Sequence, residues 1–127
     1  MMKFTPLQEG YALKDPQSDY EQAEKLDKYR VSDNAIYAPA GFGNQEYLLL
    51  KNVTKAYYHD FQMRTGCCTG TWPKRGIVVC YGDNGILKIR PDKEKFAAPF
   101  LETLQKRIPG LDTEIPELYK NETRKGW

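Results

Sequence analysis

No apolar run in this chain approaches the about 18 residues that a membrane-spanning helix requires, which excludes a helical span. An excess of one charge is also missing. With 19 Lys and Arg against 17 Asp and Glu, the formal net charge is +2, so only a local patch could draw the chain to nucleic acid or to an acidic membrane. Cysteine is scarce, at three residues, and two of these are adjacent as Cys67-Cys68. Three thiols cannot all pair within one chain, and 127 residues bury enough surface to fold without a disulfide or a structural metal, so free thiols are expected. The N-terminal Met1-Met2-Lys3-Phe4-Thr5-Pro6 lacks the apolar run of a secretory signal, and the expected location is cytoplasmic. What is present is the composition of one ordered domain, 40% hydrophobic and 13% aromatic.

Residues 1–28 read as an irregular arm carrying Pro6, Gly10 and Pro16, followed by a short helix. Ser18-Asp19-Tyr20-Glu21 has the S-x-x-E form that caps a helix reciprocally, and Tyr20, Ala23 and Leu26 fall on one side of a helix ending near Lys28. From Tyr29 to Pro91 the helical period disappears. Short β-branched or aromatic runs, separated by Gly, Asn, Asp and Pro, predict seven strands: 28–32, 35–38, 46–50, 53–59, 61–65, 76–81 and 86–90. Asp83-Asn84-Gly85 supplies residues that tolerate positive φ, which predicts a tight hairpin there. On its second strand Leu87 and Ile89 should face inward and Lys88 and Arg90 outward. Asp92 is placed to cap a last helix running to about Ile108, where Phe96, Phe100, Leu104 and Ile108 are spaced by four beside Ala97 and Leu101. That stripe needs a sheet to cover it. Pro99 requires either a bend or a late start to the regular helix. Pro109-Gly110 ends the element, and 110–127 reads as a tail.

Seven antiparallel strands closed by one amphipathic helix describe a mainly β fold, a bent sheet or partly open barrel. From Tyr29 to Pro109 the sequence resembles the pleckstrin-homology-like (PH-like, GRAM-like) superfamily, in particular the small bacterial PH-like domains. The resemblance lies in "NAIYAPAG", "EYLLLKNVTKAYY", "GIVVCYGDNGILKIRP" and "EKFAAPFLETLQKRIPG". It implies a PH-like domain over 29–109 and a non-enzymatic binding or scaffold module. Members that bind phosphoinositides often carry several cations in an early loop and a Trp in the final helix. Here the loop Ala38 to Asn44 has no cation and residues 93–108 have no Trp.

For chemistry, His59 beside Asp60 and near Cys67-Cys68 permits the sketch of an activated thiol. Adjacent strand residues face opposite sides, however, so Asp60 does not orient His59. The vicinal pair also departs from the C-x2-4-C spacing of zinc sites, and Cys80 reads as a small, packed residue. No catalytic residue, metal or cofactor is assigned, and a thiol- or metal-dependent enzyme at Cys67 and Cys68 is the lesser alternative. The unusual stretch 65–76 reads as a loop whose exposed aromatic and basic residues suit recognition. Candidate ligand-binding residues are Trp72, Lys74, Arg75, Lys88 and Arg90. The expected partner is a protein or peptide at a sheet edge or at the Trp72 loop. An anionic lipid headgroup on the basic sheet face is the alternative, and nucleic acid is not expected.

Overall fold

The computed structural model describes residues 3–8, 10–64 and 71–116, without the side chains of Met63, Arg64, Thr71 and Trp72. The fold is mainly β, with eight strands in two sheets and two short helices among the described residues. The first sheet has strand order β1-β5-β4-β3-β2 and comprises β1 (Phe4–Pro6), β2 (Glu24–Leu26), β3 (Tyr29–Val31), β4 (Ala35–Pro39) and β5 (Gln45–Leu49). β2 to β5 form an antiparallel meander, while β1 lies parallel to β5, Phe4 opposite Gln45. After a 3-10 turn at Leu50–Asn52, the second sheet is a meander of β6 (Val53–Arg64), β7 (Thr71–Tyr81) and β8 (Gly85–Ile89). No strand ladder joins the two sheets into a closed barrel among the described residues. Nor is any described helix long and apolar enough to cross a membrane.

Helix α1 (Pro16–Gln22) is shorter than its side-chain pattern predicts, and it is capped differently. Asp15 is the cap, its carboxylate accepting the Ser18 N–H at 3.1 Å, and Pro16 occupies the first turn, where its missing N–H costs nothing. The helix stops because Glu24–Leu26 gains a full ladder against Tyr29–Val31, which outweighs the weak helical preference of a narrow stripe. Tyr37 and Asp19 fasten α1 to the outer face of the first sheet. The Tyr37 hydroxyl donates to Asp19 Oδ2 at 2.7 Å, and Ser32 and Asn34 donate to the same carboxylate. Burial, reinforced by the hydrogen bond to Asp19, raises the Tyr37 phenol well above the ordinary tyrosine range. Phe4, Leu13 and Tyr20 cover Ala35, Tyr37, Tyr47 and Leu49 on that face.

Between the sheets lies the principal core, which includes Val31, Ile36, Leu48, Ala56, Ile77, Val79, Leu87 and Ile89. Helix α2 (Ala97–Arg107) closes it with Phe100, Leu101 and Leu104, and Phe96 and Ile108 pack at its rim. A 3-10 turn at Glu94–Phe96 precedes the helix, so Pro99 falls in the first turn and the regular helix starts late. Asp92 is not its cap. Its N–H donates to Asp27 instead.

Other expectations change in detail. The two runs predicted on either side of Asp60 are one continuous strand over 53–64, because Asp60 occupies a paired position opposite Arg75. The β7–β8 reversal takes its positive φ (58°) at Gly82, not at Asn84 or Gly85, and the turn closes with Tyr81 opposite Gly85. Leu87 and Ile89 face the core while Lys88 and Arg90 are exposed, as strand alternation requires. Residues 71–76 are strand rather than loop. Cys67 and Cys68 lie outside the described residues.

Asp27 ties the two sheets together. At the β2–β3 turn, with φ of 62°, its carboxylate accepts backbone N–H bonds from Lys28 at 2.8 Å and from Asp92 and Lys93 at 3.0 Å each. Burial opposes its ionisation, but the three amide donors and the Lys28 ammonium outweigh burial and hold the carboxyl below the usual range. A carboxyl whose folded value is depressed contributes stability above its unfolded value, near pH 4, and that contribution is lost as pH falls through the lower folded value. Urea unfolding from pH 6 to pH 2 should therefore show Asp27→Asn destabilised at neutral pH and converging on the parent chain in acid. A gap that stays constant across this range would show that the charge of Asp27 contributes nothing.

Candidate binding face on the second sheet

Strand alternation sorts the candidate cations. On the outer face of the second sheet, β6 presents Lys55, Tyr57, His59 and Phe61, β7 presents Lys74, Gly76, Val78 and Cys80, and β8 with its extension presents Ile86, Lys88 and Arg90. Tyr57, Phe61 and Val78 form a small apolar cluster there, and Ile115 packs on it. The cations stand over its aromatic members. The Arg90 guanidinium sits 5.1 Å from the Phe61 ring centre and the Lys55 ammonium 5.8 Å from that of Tyr57. The His59 ring meets Phe61 edge-on at 4.8 Å.

Of the five predicted ligand-binding residues, Lys74, Lys88 and Arg90 share this face. Lys74 Nζ donates to the Asp92 carbonyl, which anchors it at one end. Arg75, next to Lys74 in a strand, points to the other side. It stacks on Tyr58 at 5.1 Å and approaches Asp60 at 3.4 Å, and its N–H donates to Glu94 at 2.8 Å. Arg75 is thus part of the seam between β6, β7 and the start of α2, not of the cation face. The Trp72 backbone lies in β7 opposite Met63, and its side chain is outside the described residues.

The two edges of this sheet differ. β6 is partly covered by the segment after α2, since the Ala56 N–H donates to the Asp112 carbonyl at 3.0 Å and Lys55 pairs with the Asp112 carboxylate at 3.5 Å. β8 has no strand on its outer side among the described residues. The Arg90 N–H points away from β7 and donates to the Tyr29 hydroxyl at 2.9 Å. Residues two apart in a strand turn their amides the same way, so the N–H and C=O of Ile86 and Lys88 also face this open side. The edges of the first sheet, β1 and β2, are three residues each, whereas β8 is five. Short strands are the usual protection of an edge, and β8 has less of it than β1 or β2.

Ile86, 56% exposed, belongs to this face and was not among the sequence candidates; its place between Gly85 and the inward Leu87 is the signal that carries it. The thiol of Cys80, across from Ile86, is raised by burial, an effect that the nearby Lys55 partly offsets, so it is a weak nucleophile. Among the described residues, no group of three or more His, Cys, Asp or Glu side chains could share a metal ion. Comparison of the chain with known protein families, with curated proteins and with solved structures finds no match.

Proposed function

We propose that the chain is a non-enzymatic, PH-like binding module that takes an extended segment of a partner protein as an added strand on β8. The observation that carries this reading is the open five-residue edge, whose outward amides at Ile86 and Lys88 have no strand opposite them among the described residues. Main-chain hydrogen bonds to such an edge supply affinity, and side chains alternating onto the neighbouring face supply selectivity. Here that face offers exposed Ile86 beside Lys88 and Arg90, which favours a segment with an apolar residue and carboxylates on one side. The PH-like assignment is supported by the element order after β1 and α1: seven antiparallel strands in two meanders, followed by a helix whose apolar stripe closes the space between them.

Extended peptides selected from a random library on the full chain should be acidic, and titrating them should shift the amide resonances of Ile86 and Lys88. Ile86→Pro removes one outward N–H while leaving the β7 ladder bonds in place, and proline is tolerated on strand edges. It should weaken binding about tenfold or more, as should Lys88→Glu combined with Arg90→Glu. A folded Ile86→Pro chain that binds the selected peptides as the parent does would overturn the assignment.

A further inference from the structure

An apolar cluster on the outer face of a sheet, away from the principal core, needs a cover of its own, and at Tyr57, Phe61 and Val78 part of that cover is the short segment that follows α2. The segment is attached in three places. The Ala56 N–H on the β6 edge donates to the Asp112 carbonyl at 3.0 Å, the Lys55 ammonium pairs with the Asp112 carboxylate at 3.5 Å, and Ile115 packs on the cluster. Asp112 Oδ1 also accepts the Glu114 N–H at 3.0 Å, a local turn that leads the chain from the edge onto the face. Asp112 thus meets β6 through its main chain and its side chain together, and the aliphatic residue three positions later reaches the cluster.

This attachment is slight. One main-chain hydrogen bond, one ion pair whose carboxylate is 54% exposed and one partly buried isoleucine must offset the ordering of the segment, and an exposed ion pair contributes little. Leu111 packs on the principal core and is the fixed end, so residues 112–116 can leave the face without moving α2. The segment also answers only part of the face it lies on. Lys74 is held by the Asp92 carbonyl, but Lys88 and Arg90 pair with no carboxylate among the described residues. The segment therefore has the form of a ligand, and an incomplete one.

We infer that residues 112–116 are an internal stand-in for a partner: the face beside β6 receives a segment of another protein in which an aspartate is followed three residues later by an aliphatic residue and then by further carboxylates, and the chain's own segment gives way to it. The incoming aspartate takes the Ala56 N–H and Lys55, the aliphatic residue takes the cluster, and the further carboxylates take Lys88 and Arg90. This site begins at the edge opposite β8 and does not rest on strand addition there. The stand-in also sets a threshold. Because a tethered segment acts at an effective concentration of about millimolar, only a partner that adds contacts displaces it.

The test uses the full chain and a synthetic peptide, Leu-Asp-Thr-Glu-Ile-Pro-Glu-Glu, which repeats the sequence of 111–116 and adds two carboxylates. Asp112→Asn combined with Ile115→Ala loosens the stand-in, and neither side chain belongs to the principal core, so the amide spectrum of the first sheet and α2 should match the parent. This opened chain should bind the peptide at least about tenfold more tightly than the parent does. In the parent, peptide in excess of about millimolar should shift the Ala56 amide and move the Ile115 methyl resonances to their positions in an unstructured chain. Adding Lys55→Glu to the opened chain should abolish binding, and a peptide with Lys in place of its Asp should restore it. Ile86→Pro should leave this binding unchanged, so the inference and strand addition at β8 fail separately. Equal affinity of the parent and the opened chain, binding indifferent to Lys55→Glu, or Ile115 methyls that stay in place would each overturn the inference. Binding lost on Ile86→Pro and kept on Lys55→Glu would assign the peptide to the β8 edge instead.

Discussion

Phe100→Ala is expected to destabilise the chain by about 3–5 kcal/mol, a large share of the roughly 5–15 kcal/mol that holds a domain of this size together. Phe100 is 1% exposed, lies among core residues from both sheets and meets the Tyr29 ring edge-on at 5.9 Å. Truncation removes that contact and leaves a void bounded by a sheet on either side, which cannot collapse without disturbing strand ladders. Chemical denaturation should report the loss as a lower midpoint with an unchanged slope. Phe96→Ala, at the rim of the same stripe, should cost clearly less, because its surroundings are open to water and can relax. Equal, small losses at both positions would mean that α2 rests on the sheets without closing them.

Gly76→Ala is expected to be nearly as damaging although it adds only one methyl group. A Cβ at Gly76 would fall well inside contact distance of the Ile89 carbonyl and within 2.7 and 2.8 Å of two Phe61 ring carbons. The ring can turn, but the carbonyl belongs to the β7–β8 ladder and cannot move without losing hydrogen bonds. The cost should reach or exceed the upper end of the about 1–3 kcal/mol usual for overpacking. Adding Phe61→Leu should restore only part of it, since the backbone clash remains. Full rescue by Phe61→Leu would place the whole conflict in the side chains, contrary to this geometry.

The elements that the sequence makes legible are those with a repeating physical requirement. The i, i+4 spacing of Phe96, Phe100, Leu104 and Ile108 announces a covered helix face, and the structure covers it. The inward and outward alternation of β8 is equally plain, as is the separation of His59 from Asp60. β1 and β2 are not legible, because three residues contain too little period to register and their pairing depends on β5 and β3. The S-x-x-E pattern misleads for a related reason: the local cap it offers competes with Asp15 and Pro16 upstream and with a strand ladder downstream.

The candidate site is legible in part. Lys74, Lys88 and Arg90 converge as sheet geometry allows, but grouping Arg75 with them requires residues 71–76 to be a loop. Once they are a strand, neighbours must diverge. Asp27 gives a weaker signal. It owes its role to amides 65 and 66 residues away, which no local pattern contains.

Among the described residues the chain passes from one sheet to the other once, at Leu50–Asn52, and every strand ladder lies wholly to one side of that passage. The portions before and after it are therefore joined by one covalent thread, by apolar contact across the core and by side-chain fastenings such as that of Asp27. A polypeptide arranged in this way is modular in its backbone bonding but not in its stability: neither portion lends a strand to the other's ladder, yet each has its apolar face covered only by the other.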